Sequence, residues 1–209
     1  MLSRKLNQQL RKPAKSLTGW ILSKLFIWHH RVLEENAVKC VEIQPDDTVL
    51  ELGFGLGLGL QAAAPLLCGR GKLFGVDHSD YMFRKASERM KNEIESGTVT
   101  LFSGNIMAMP LPDSSVDKVY HCNCYYYWTN MEAVASEVHG VMKPGGLMVT
   151  TLRHSSNKKV ALLNVFLDEN WKPEVYMEAL RATGFSDVRM ETKQDNKITF
   201  QAILATASK

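Results

Sequence analysis

Four glycines stand at alternate positions directly after a short apolar run, and residues of this type and spacing could cradle a ligand. The run covers residues 48–52 and includes Glu51. Because glycine has no Cβ and tolerates positive φ, a ligand can come close to the backbone of such a loop. A helix that starts just afterwards would direct free backbone N–H groups at the same ligand. The pattern therefore predicts a loop shaped around a nucleotide-like ligand, built on Gly53, Gly55, Gly57 and Gly59.

The residues around this loop bear on which nucleotide it holds. Counted from Gly53, the dinucleotide pattern G-x-G-x-x-G/A needs a glycine or alanine where Leu58 stands. A later register that starts at Gly57 fits the pattern, but it lies too far from the end of the strand. Glu51 would repel a pyrophosphate, whereas it suits a ligand with sulfonium and ammonium groups. Asp77 ends the next apolar run, where an acid holds the ribose hydroxyls of either ligand type.

Residues 49–57 resemble the first motif of the class I S-adenosylmethionine-dependent methyltransferases. Later segments are similar to further motifs of that family in the same order, and the resemblance covers residues 48–152. It is strongest to the small-molecule type 11 methyltransferases, a group that includes quinone-ring C-methyltransferases. The later segments are the ribose motif at 75–79, the adenine-contact loop and fourth-strand entry at 104–106 and 109–117, an Asn-x-x-Tyr-x-Trp segment at 123–128, and the turn at 141–146.

The resemblance implies a fold, a cofactor and a set of contact residues. The fold is an α/β, Rossmann-like sandwich whose seven-stranded, mostly parallel sheet ends in an antiparallel hairpin, and the cofactor is S-adenosylmethionine. Glu51 would orient the cationic end of the cofactor and Asp77 would bind the ribose. Met82 and Ile106 would enclose the adenine, although Met82 could equally be a core residue of its helix. The implied cofactor-binding residues are Glu51, Gly53, Phe54, Gly55, Gly57, Asp77, His78, Met82, Asn105, Ile106 and Asn123.

Three residues depart from the family pattern. Phe54 is bulky where many members have a small residue, which predicts a tighter loop around the amino-acid end of the cofactor. Asn105 replaces the commoner acid, and its carbonyl oxygen can still accept a hydrogen bond from the adenine amino group. Pro65 stands where the first helix would continue, and a proline inside a helix costs about 3 kcal/mol. This helix is therefore expected to be short or bent near Ala64.

Strand and helix patterns alternate along the chain, which predicts a mostly parallel sheet with helices on both faces. The predicted strands are 48–52, 72–77, 98–102, 116–121, 147–152, 185–191 and 197–205. The predicted helices are 32–41, 57–68, 79–94, one that begins at the capping box Thr129-x-x-Glu132 and ends at 143–146, and one between Pro173 and Gly184. Only a short segment that includes residues 194–196 separates the last two strands, so these strands must pair as an antiparallel hairpin.

Several aromatic residues and histidines are candidates for contact with a substrate. The aromatic residues after the fourth strand could wall an apolar pocket or pack their loop against the protein. By residue type, His29, His30 and His121 are candidates for a general base. His121 lies at an apolar strand end, where a buried, hydrogen-bonded histidine is the commoner outcome, and no catalytic residue is assigned. The substrate candidates are His29, Tyr125, Tyr127 and Trp128.

The beginning of the chain is basic. Residues 1–33 contain seven basic residues and no acid, whereas the whole chain has a net charge of only +3. A helical lid is the favoured interpretation, because residues 20–28 hold more large apolar side chains than a cleaved peptide needs. A mitochondrial transit peptide and a surface patch for membrane or nucleic acid are the alternatives. The predicted organisation is a basic helical extension at 1–45 and a methyltransferase domain at 46–209, in the cytoplasm or, with a transit peptide, in mitochondria.

The composition is that of a soluble single domain in a reducing compartment. The four cysteines do not form a disulfide framework. Cys122 and Cys124 are too close together for the usual zinc spacing, so no metal site is expected. Thiol-dependent arsenite methylation stays open on the same pair. No apolar run approaches the roughly 20 residues that a membrane-spanning helix needs.

The function that the resemblance implies is methyl transfer from S-adenosylmethionine to a small molecule, either lipid-like or aromatic. Nucleic-acid substrates are disfavoured, because Asn123 lacks the following prolines of base-methylating enzymes. Cys122 and Cys124 also lack the preceding proline of cytosine C5 enzymes. Two alternatives remain. One is a non-catalytic module that binds the cofactor, motivated by Phe54 and the missing base, and the other is an NAD-linked oxidoreductase.

Overall fold

The computed structural model describes residues 31–154 and 169–209. Within them the backbone forms one seven-stranded sheet. Its strands are β1 Thr48–Leu52, β2 Lys72–Asp77, β3 Val99–Ser103, β4 Val116–Cys122, β5 Met142–Leu152, β6 Phe185–Asp195 and β7 Ile198–Ala207. The order across the sheet is β3-β2-β1-β4-β5-β7-β6.

Helices connect these strands. The α-helices are α1 at 31–41, α2 Leu58–Ala63, α3 Asp80–Arg89, α4 Lys91–Glu95, α5 Met131–Val141 and α6 Pro173–Ala182. Short 3-10 helices add Ala64–Leu67, Tyr125–Tyr127 and Glu169–Trp171. Five strands, β1 to β5, run parallel, whereas β7 pairs antiparallel with both β5 and β6. The implied Rossmann-like sheet with its antiparallel hairpin is thus confirmed.

The topology places the site between β1 and β4. From β1 the chain proceeds outward through β2 to β3, and it then returns to the other side of β1 to form β4 and β5. In open α/β sheets a ligand binds past the carboxyl ends of the strands at such a reversal. The strand ends Leu52, Asp77 and Cys122 therefore border the candidate site.

Each face of the sheet has its own apolar core. On one face α1, α2 and α3 pack on β1, β2 and β7 through residues such as Leu33, Phe54 and Phe200. On the other face α5 and α6 pack on β4 and β5 through residues such as Val138 and Tyr176. Helices therefore cover the sheet on both sides, as the alternating pattern predicts.

The structure confirms the bend expected in the first predicted helix. It corrects the single helix expected after β2. The α-helix α2 gives way to a 3-10 turn at Ala64, with Pro65 inside that turn. The predicted helix 79–94 is in fact two helices, because Met90 leaves helical geometry at φ −99° and ψ 23°. Ser79 caps the first of them, and its Oγ accepts a hydrogen bond from Met82 N–H at 3.4 Å.

Two predicted termini were wrong in detail. Asn130, and not the box formed by Thr129 and Glu132, caps α5, since its Oδ1 accepts the Ala133 N–H at 2.9 Å. The helix ends at Val141, and β5 begins at once with Met142, five residues before the predicted strand. Residues 143–146 bulge from this strand, because the β4 partners pass from Val116↔Met142 directly to Lys118↔Leu147.

The hairpin is longer than predicted. The strands β6 and β7 extend until Asp195 pairs with Ile198, so only two residues form the turn. Asn196 adopts φ 54° there, a conformation that asparagine tolerates better than most residues. The strand β7 of this hairpin pairs antiparallel with β5, as the family resemblance implies.

Candidate functional site

The glycine loop leaves β1 in an unusual backbone conformation. Gly53, Gly55 and Gly57 have φ values of 67°, 51° and 76°, which residues with a Cβ rarely adopt. The Gly53 N–H donates to Val76 O at 2.7 Å, and the Gly57 N–H donates to Phe54 O at 2.8 Å. The first bond ties the loop to β2, and the second closes a turn within the loop at the carboxyl end of the sheet.

Two of the glycines are also required by close neighbours. A Cβ on Gly53 would lie 3.2 Å from the Cys124 Cβ, so the loop rests directly on the second residue after the end of β4. A Cβ on Gly59 would lie 2.8 Å from the Cδ of Glu51. Glycine at position 59 therefore makes room for a buried carboxyl group beneath the loop.

Phe54 does not narrow the loop, contrary to the sequence expectation. Its side chain is fully buried in the α1–α2 core. The ring lies over Gly75, where an added Cβ would come within 2.8 Å of Phe54 Cδ1. The side chain of Phe54 is therefore part of the core.

Asp77 connects the loop to the next helix. Its Oδ2 accepts the Gly55 N–H at 2.9 Å, and its Oδ1 accepts the Ser79 N–H at 2.8 Å. Burial raises the pKa of this carboxyl above its usual value, while the two N–H donors and the exposed His78 act in the opposite direction. The imidazole Nδ1 of His78 lies 3.9 Å from Asp77 Oδ1. Because each carboxylate oxygen can accept more than one hydrogen bond, Asp77 could also accept ribose hydroxyls.

Glu51 is buried behind the loop and is only 2% exposed. Its Oε2 accepts the Tyr120 hydroxyl at 2.9 Å, and the backbone N–H of Leu60 also bonds to this carboxyl group. Burial and then the nearby carboxyl of Glu34 raise its pKa well above the ordinary value. Tyr120 remains a neutral donor, since burial and the same acids raise its pKa as well.

Glu34 is a site residue that the sequence reasoning missed. It lies on α1, and its carboxyl accepts the backbone N–H of Gly59. Its pKa is raised to about 8, chiefly by burial. A signal was present, because Glu34 stands one helical turn before Val38, beside the apolar face of α1. An acid at the edge of a buried stripe indicates a partner inside the protein.

The third strand ends in residues that could flank an adenine. Asn105 is exposed, and its Oδ1 accepts the Met107 N–H at 3.0 Å in a local turn. Ile106 is partly buried against the α5–α6 core. Met82 is buried in the first turn of α3 and belongs to neither of the two main core clusters. Contact of these residues with the cofactor stays a prediction.

Asn123 directly follows β4 and takes a strained backbone conformation. Its φ is 50°, and its N–H donates to Thr151 O at 3.1 Å. The residue is 9% exposed, and its side-chain Oδ1 is buried without a hydrogen-bond partner in the parts of the chain that the structure describes. Unpartnered buried polar atoms are uncommon and cluster at sites that bind ligands. This oxygen is available to a donor on a ligand.

The aromatic residues after β4 serve mainly as packing. Tyr125 is fully buried, stacks on Tyr176 with ring centroids 4.6 Å apart, and donates its hydroxyl to Trp171 O at 2.8 Å. Trp128 is 8% exposed and contacts the same core. Of the substrate candidates in this segment, Tyr127 alone is partly exposed. His29 and His30 lie outside the described residues.

His121 has the buried, hydrogen-bonded role that its position favours. Its Nε2 lies 2.9 Å from Tyr176 Oη and 2.8 Å from Thr150 Oγ1. Its Nδ1 lies 3.3 Å from Cys124 Sγ. Burial lowers the pKa of His121 to about 3, so the ring is neutral at physiological pH and poorly placed to act as a base.

The two cysteines at the β4 end are free thiols. Burial raises the pKa of both Cys122 and Cys124 well above the usual value, so neither is a thiolate near neutral pH. This disfavours the thiol-dependent arsenite chemistry that the sequence left open. Across 31–154 and 169–209, no three potential metal ligands come together, and no helix is long and apolar enough to span a membrane.

Comparison with known sequences identifies similar proteins. A family model described as a methyltransferase domain matches residues 50–150. The sterol 24-C-methyltransferase of Pneumocystis carinii is 31% identical over 105 residues, which make up 50% of this chain and 27% of that protein. The Bacillus subtilis protein YdaC, an uncharacterized methyltransferase, is 29% identical over 140 residues, covering 66% of this chain and 71% of its own. The match to the sterol enzyme thus spans only about a quarter of its length.

Solved structures share the fold. A Haloferax volcanii methyltransferase in complex with a methyltransferase activator has a TM-score of 0.74 and 21% identity, covering 89% of this chain and 93% of that one. The geranyl diphosphate C-methyltransferase of Streptomyces coelicolor has a TM-score of 0.69 and 15% identity, covering 84% of this chain and 78% of that one. At such identities these likenesses establish the architecture alone.

Proposed function

Because the chain belongs to the family of class I S-adenosylmethionine-dependent methyltransferases, its cofactor is S-adenosylmethionine, and we propose that it methylates a small-molecule acceptor. The acceptor is apolar in this proposal. Sterol methyltransferases among the similar sequences support that choice, since their named substrates are lipids.

One observation carries the proposal: acidic side chains flank the glycine loop on both sides. Among the described residues, no basic side chain binds the inner face of the loop. Glu51 lies behind the loop and Asp77 holds it from the side. Arg89, whose Nε donates to Leu56 O at 2.8 Å, is exposed and reaches the loop from the α3 side. A pyrophosphate would be repelled by this arrangement, whereas a ligand with positive groups and ribose hydroxyls fits it.

The protein's contribution to methyl transfer is positioning. When bound, S-adenosylmethionine supplies an electrophilic methyl group on a positively charged sulfur. Asp77 would fix the ribose, and Asn123 would offer its free Oδ1 at the carboxyl end of β4. Holding two reactants in line can lower a barrier by several kcal/mol, up to about 7–11 kcal/mol in favourable cases. Such a reaction does not require His121, which lies closed off in the core.

Turnover measurements test the proposal. The protein is incubated with methyl-labelled S-adenosylmethionine and a lipid extract, and labelled products are separated from the aqueous phase. We expect label in the apolar fraction with the native protein, and a large loss with Asp77→Ala. Asp113→Ala is the matched control, since Asp113 is an exposed acid on a loop away from the glycines.

Other outcomes would reject parts of the proposal. Binding of S-adenosylmethionine with no transfer to any fraction would favour a non-catalytic module. Label only in polar metabolites would keep methyl transfer and reject the apolar acceptor. Tight NAD binding with none for S-adenosylmethionine would favour an oxidoreductase. Residues 1–30 lie outside the described residues, so the role of the extension at 1–45 as a lid stays a prediction, as does the cytoplasmic location.

A further inference from the structure

Two carboxyl groups from distant segments meet under the glycine loop. Glu34 on α1 and Glu51 on β1 accept hydrogen bonds from successive backbone N–H groups, those of Gly59 and Leu60. After burial, the negative charge of Glu34 is the largest cause of the raised pKa of Glu51. Tyr120 is a third group of this cluster through its hydrogen bond to Glu51.

The cluster has more acceptors than donors. Glu34 is partly buried as a residue, yet its Oε2 is inaccessible to solvent and has no hydrogen-bond partner within the described chain. Asn123 Oδ1, just past the end of β4, is likewise buried and has no hydrogen-bond partner within the described chain. Both unsatisfied atoms are oxygens that accept hydrogen bonds. A ligand that satisfies them must bring hydrogen-bond donors, and beside two acids a positively charged N–H donor is favoured.

The charged groups around the pair do not neutralise it. Arg89 attracts the Glu34 carboxylate from α3, but its guanidinium is hydrogen-bonded to Leu56 O and Gln61 Oε1. Glu35 on α1 acts on Glu34 with the same sign of charge, and Asp77 on β2 does so on Glu51. Among the residues that the structure describes, the remaining titratable neighbours are Tyr120, Cys122 and Cys124, which are neutral near pH 7.

The sheet order indicates which end of the cofactor reaches this pair. Asp77, the expected ribose ligand, ends β2 on one side of β1, whereas β4 lies on the other side. Glu34 lies toward that second side, because the neighbouring Leu33 O accepts the Thr151 hydroxyl of β5 at 2.9 Å. In S-adenosylmethionine the amino-acid chain extends from the 5′ sulfur away from the ribose. With the ribose at β2, the ammonium group would extend toward β4 and α1.

We propose that Glu34 is a second acidic residue of the cofactor site and that Glu34 and Glu51 together bind the α-ammonium group of the cofactor. The inference rests on the function proposed above. It adds that Glu34 contacts the cofactor and that binding releases a proton. Without ligand the two carboxyl groups share one proton, so they do not carry two negative charges that repel each other. When the ammonium group enters, this proton leaves to the solvent and the pair binds the cation as two carboxylates.

Calorimetric titration in buffers of different ionisation enthalpy counts the released protons. The native protein is titrated at pH 7 with S-adenosylhomocysteine, which has the ammonium group and lacks the sulfonium, and with methylthioadenosine, which has neither cation. We expect proton release with S-adenosylhomocysteine and none with methylthioadenosine. The affinity for S-adenosylhomocysteine should also increase with pH, by up to about tenfold per pH unit below the pKa of the pair.

Variants separate Glu34 from its neighbour on the same helix. Glu34→Gln should still bind S-adenosylhomocysteine, about tenfold or more weakly, with no proton release. Glu35→Gln is the matched control, because the Glu35 side chain is 38% exposed and pairs with Arg31 at 2.8 Å. It should behave like the native protein. Circular dichroism of both variants establishes that they are folded, and the two-ligand comparison on the native protein needs no variant.

Each result has a distinct meaning. Equal proton release by the native protein and Glu34→Gln would overturn the inference while leaving the cofactor assignment intact. Proton release with S-adenosylmethionine but not with S-adenosylhomocysteine would assign the pair to the sulfonium and reject the ammonium. Failure of the native protein to bind any adenosyl ligand would reject the proposed function itself.

Discussion

Two adjacent residues of β4 contribute to buried polar clusters on opposite faces of the sheet, and the clusters differ in kind. Tyr120 points toward α1 and α2, where it donates to Glu51. His121 points toward α5 and α6, where it bonds Tyr176 and Thr150. The first cluster contains two acids and an unpartnered oxygen, whereas the second contains neutral groups whose polar atoms are paired.

The difference distinguishes a cluster that can bind a ligand from one that only stabilises the core. In the His121 cluster, Thr150 Oγ1 also lies 3.0 Å from Tyr176 Oη, so the three side chains form a closed triangle. A closed neutral network is satisfied before any ligand arrives, and it stabilises the core. The Glu34–Glu51 cluster is left with surplus negative charge and an unused acceptor, which is costly unless a ligand compensates it. Unsatisfied atoms therefore distinguish the candidate site from its scaffold.

The largest effect should follow from breaking the neutral cluster. We expect His121→Ala to lower the free energy of unfolding by about 3 kcal/mol, because it leaves a cavity and removes the hydrogen bonds of the ring to Thr150 and Tyr176, whose hydroxyls then bond only to each other. Urea denaturation measures this loss. His139→Ala, which removes a partly exposed ring on α5 with one hydrogen bond to Ser208 O and an edge contact to Phe185, should cost clearly less, about 1 kcal/mol. A loss at His121 no larger than that of the control would mean that this network is not a stabilising element.

Removing an acid beside the glycine loop should lower the affinity for the cofactor. Asp77→Ala should weaken binding of S-adenosylhomocysteine by about a hundredfold, since a carboxylate that accepts hydroxyls and holds the Gly55 N–H would be gone. Calorimetry gives the dissociation constant, and Asp113→Ala should change it less than twofold. Unchanged affinity in Asp77→Ala would reject this acid as a ribose ligand.

The two clusters should respond to pH with opposite signs. The pKa of His121 falls from about 6.5 to about 3 on folding, so the native state binds fewer protons and stability decreases as pH falls through this window. The pKa of Glu34 rises from 4.5 to about 8, so stability instead decreases as pH rises from about 4.5 toward 8. Each slope is at most about 1.4 kcal/mol per pH unit.

The variant Glu34→Gln isolates the acidic contribution. It should be more stable than the native protein by at least about 1 kcal/mol at pH 8, with the difference disappearing near pH 4. Thermal or urea unfolding across this pH range measures the difference, and Glu35→Gln should show no such trend. A pH-independent difference would mean that Glu34 is not protonated in the native state.

The smallest effect should follow from removing one hydroxyl of the neutral triangle. Tyr176→Phe keeps the stacking on Tyr125 and removes hydrogen bonds to His121 and Thr150. We expect a loss of about 1 kcal/mol, because the two partners still bond to each other. Urea denaturation against the native protein measures it. A loss as large as that of His121→Ala would show that the triangle acts only as a complete unit.

The sequence predicted best the features that local chemistry decides. The glycine loop, the Ser79 cap and the bend at Pro65 depend on backbone geometry within a few residues, so their residue types indicate them directly. The wrong cap at α5 has a similarly local cause, because Asn130 competes with its neighbour Thr129 for the same role and both are good caps.

Side-chain direction and the pairing of distant segments were decided only in the tertiary structure. Whether Phe54 enters the loop or the core depends on the space above Gly75, which belongs to another strand. Tyr125 is a core residue because α6 supplies Tyr176 as its stacking partner. Glu34 becomes a site residue because the packing of α1 brings it to Gly59. The chain's own residue types determined the sheet, the loop and the cofactor family, whereas burial of charge depends on which remote groups meet and on the water they exclude.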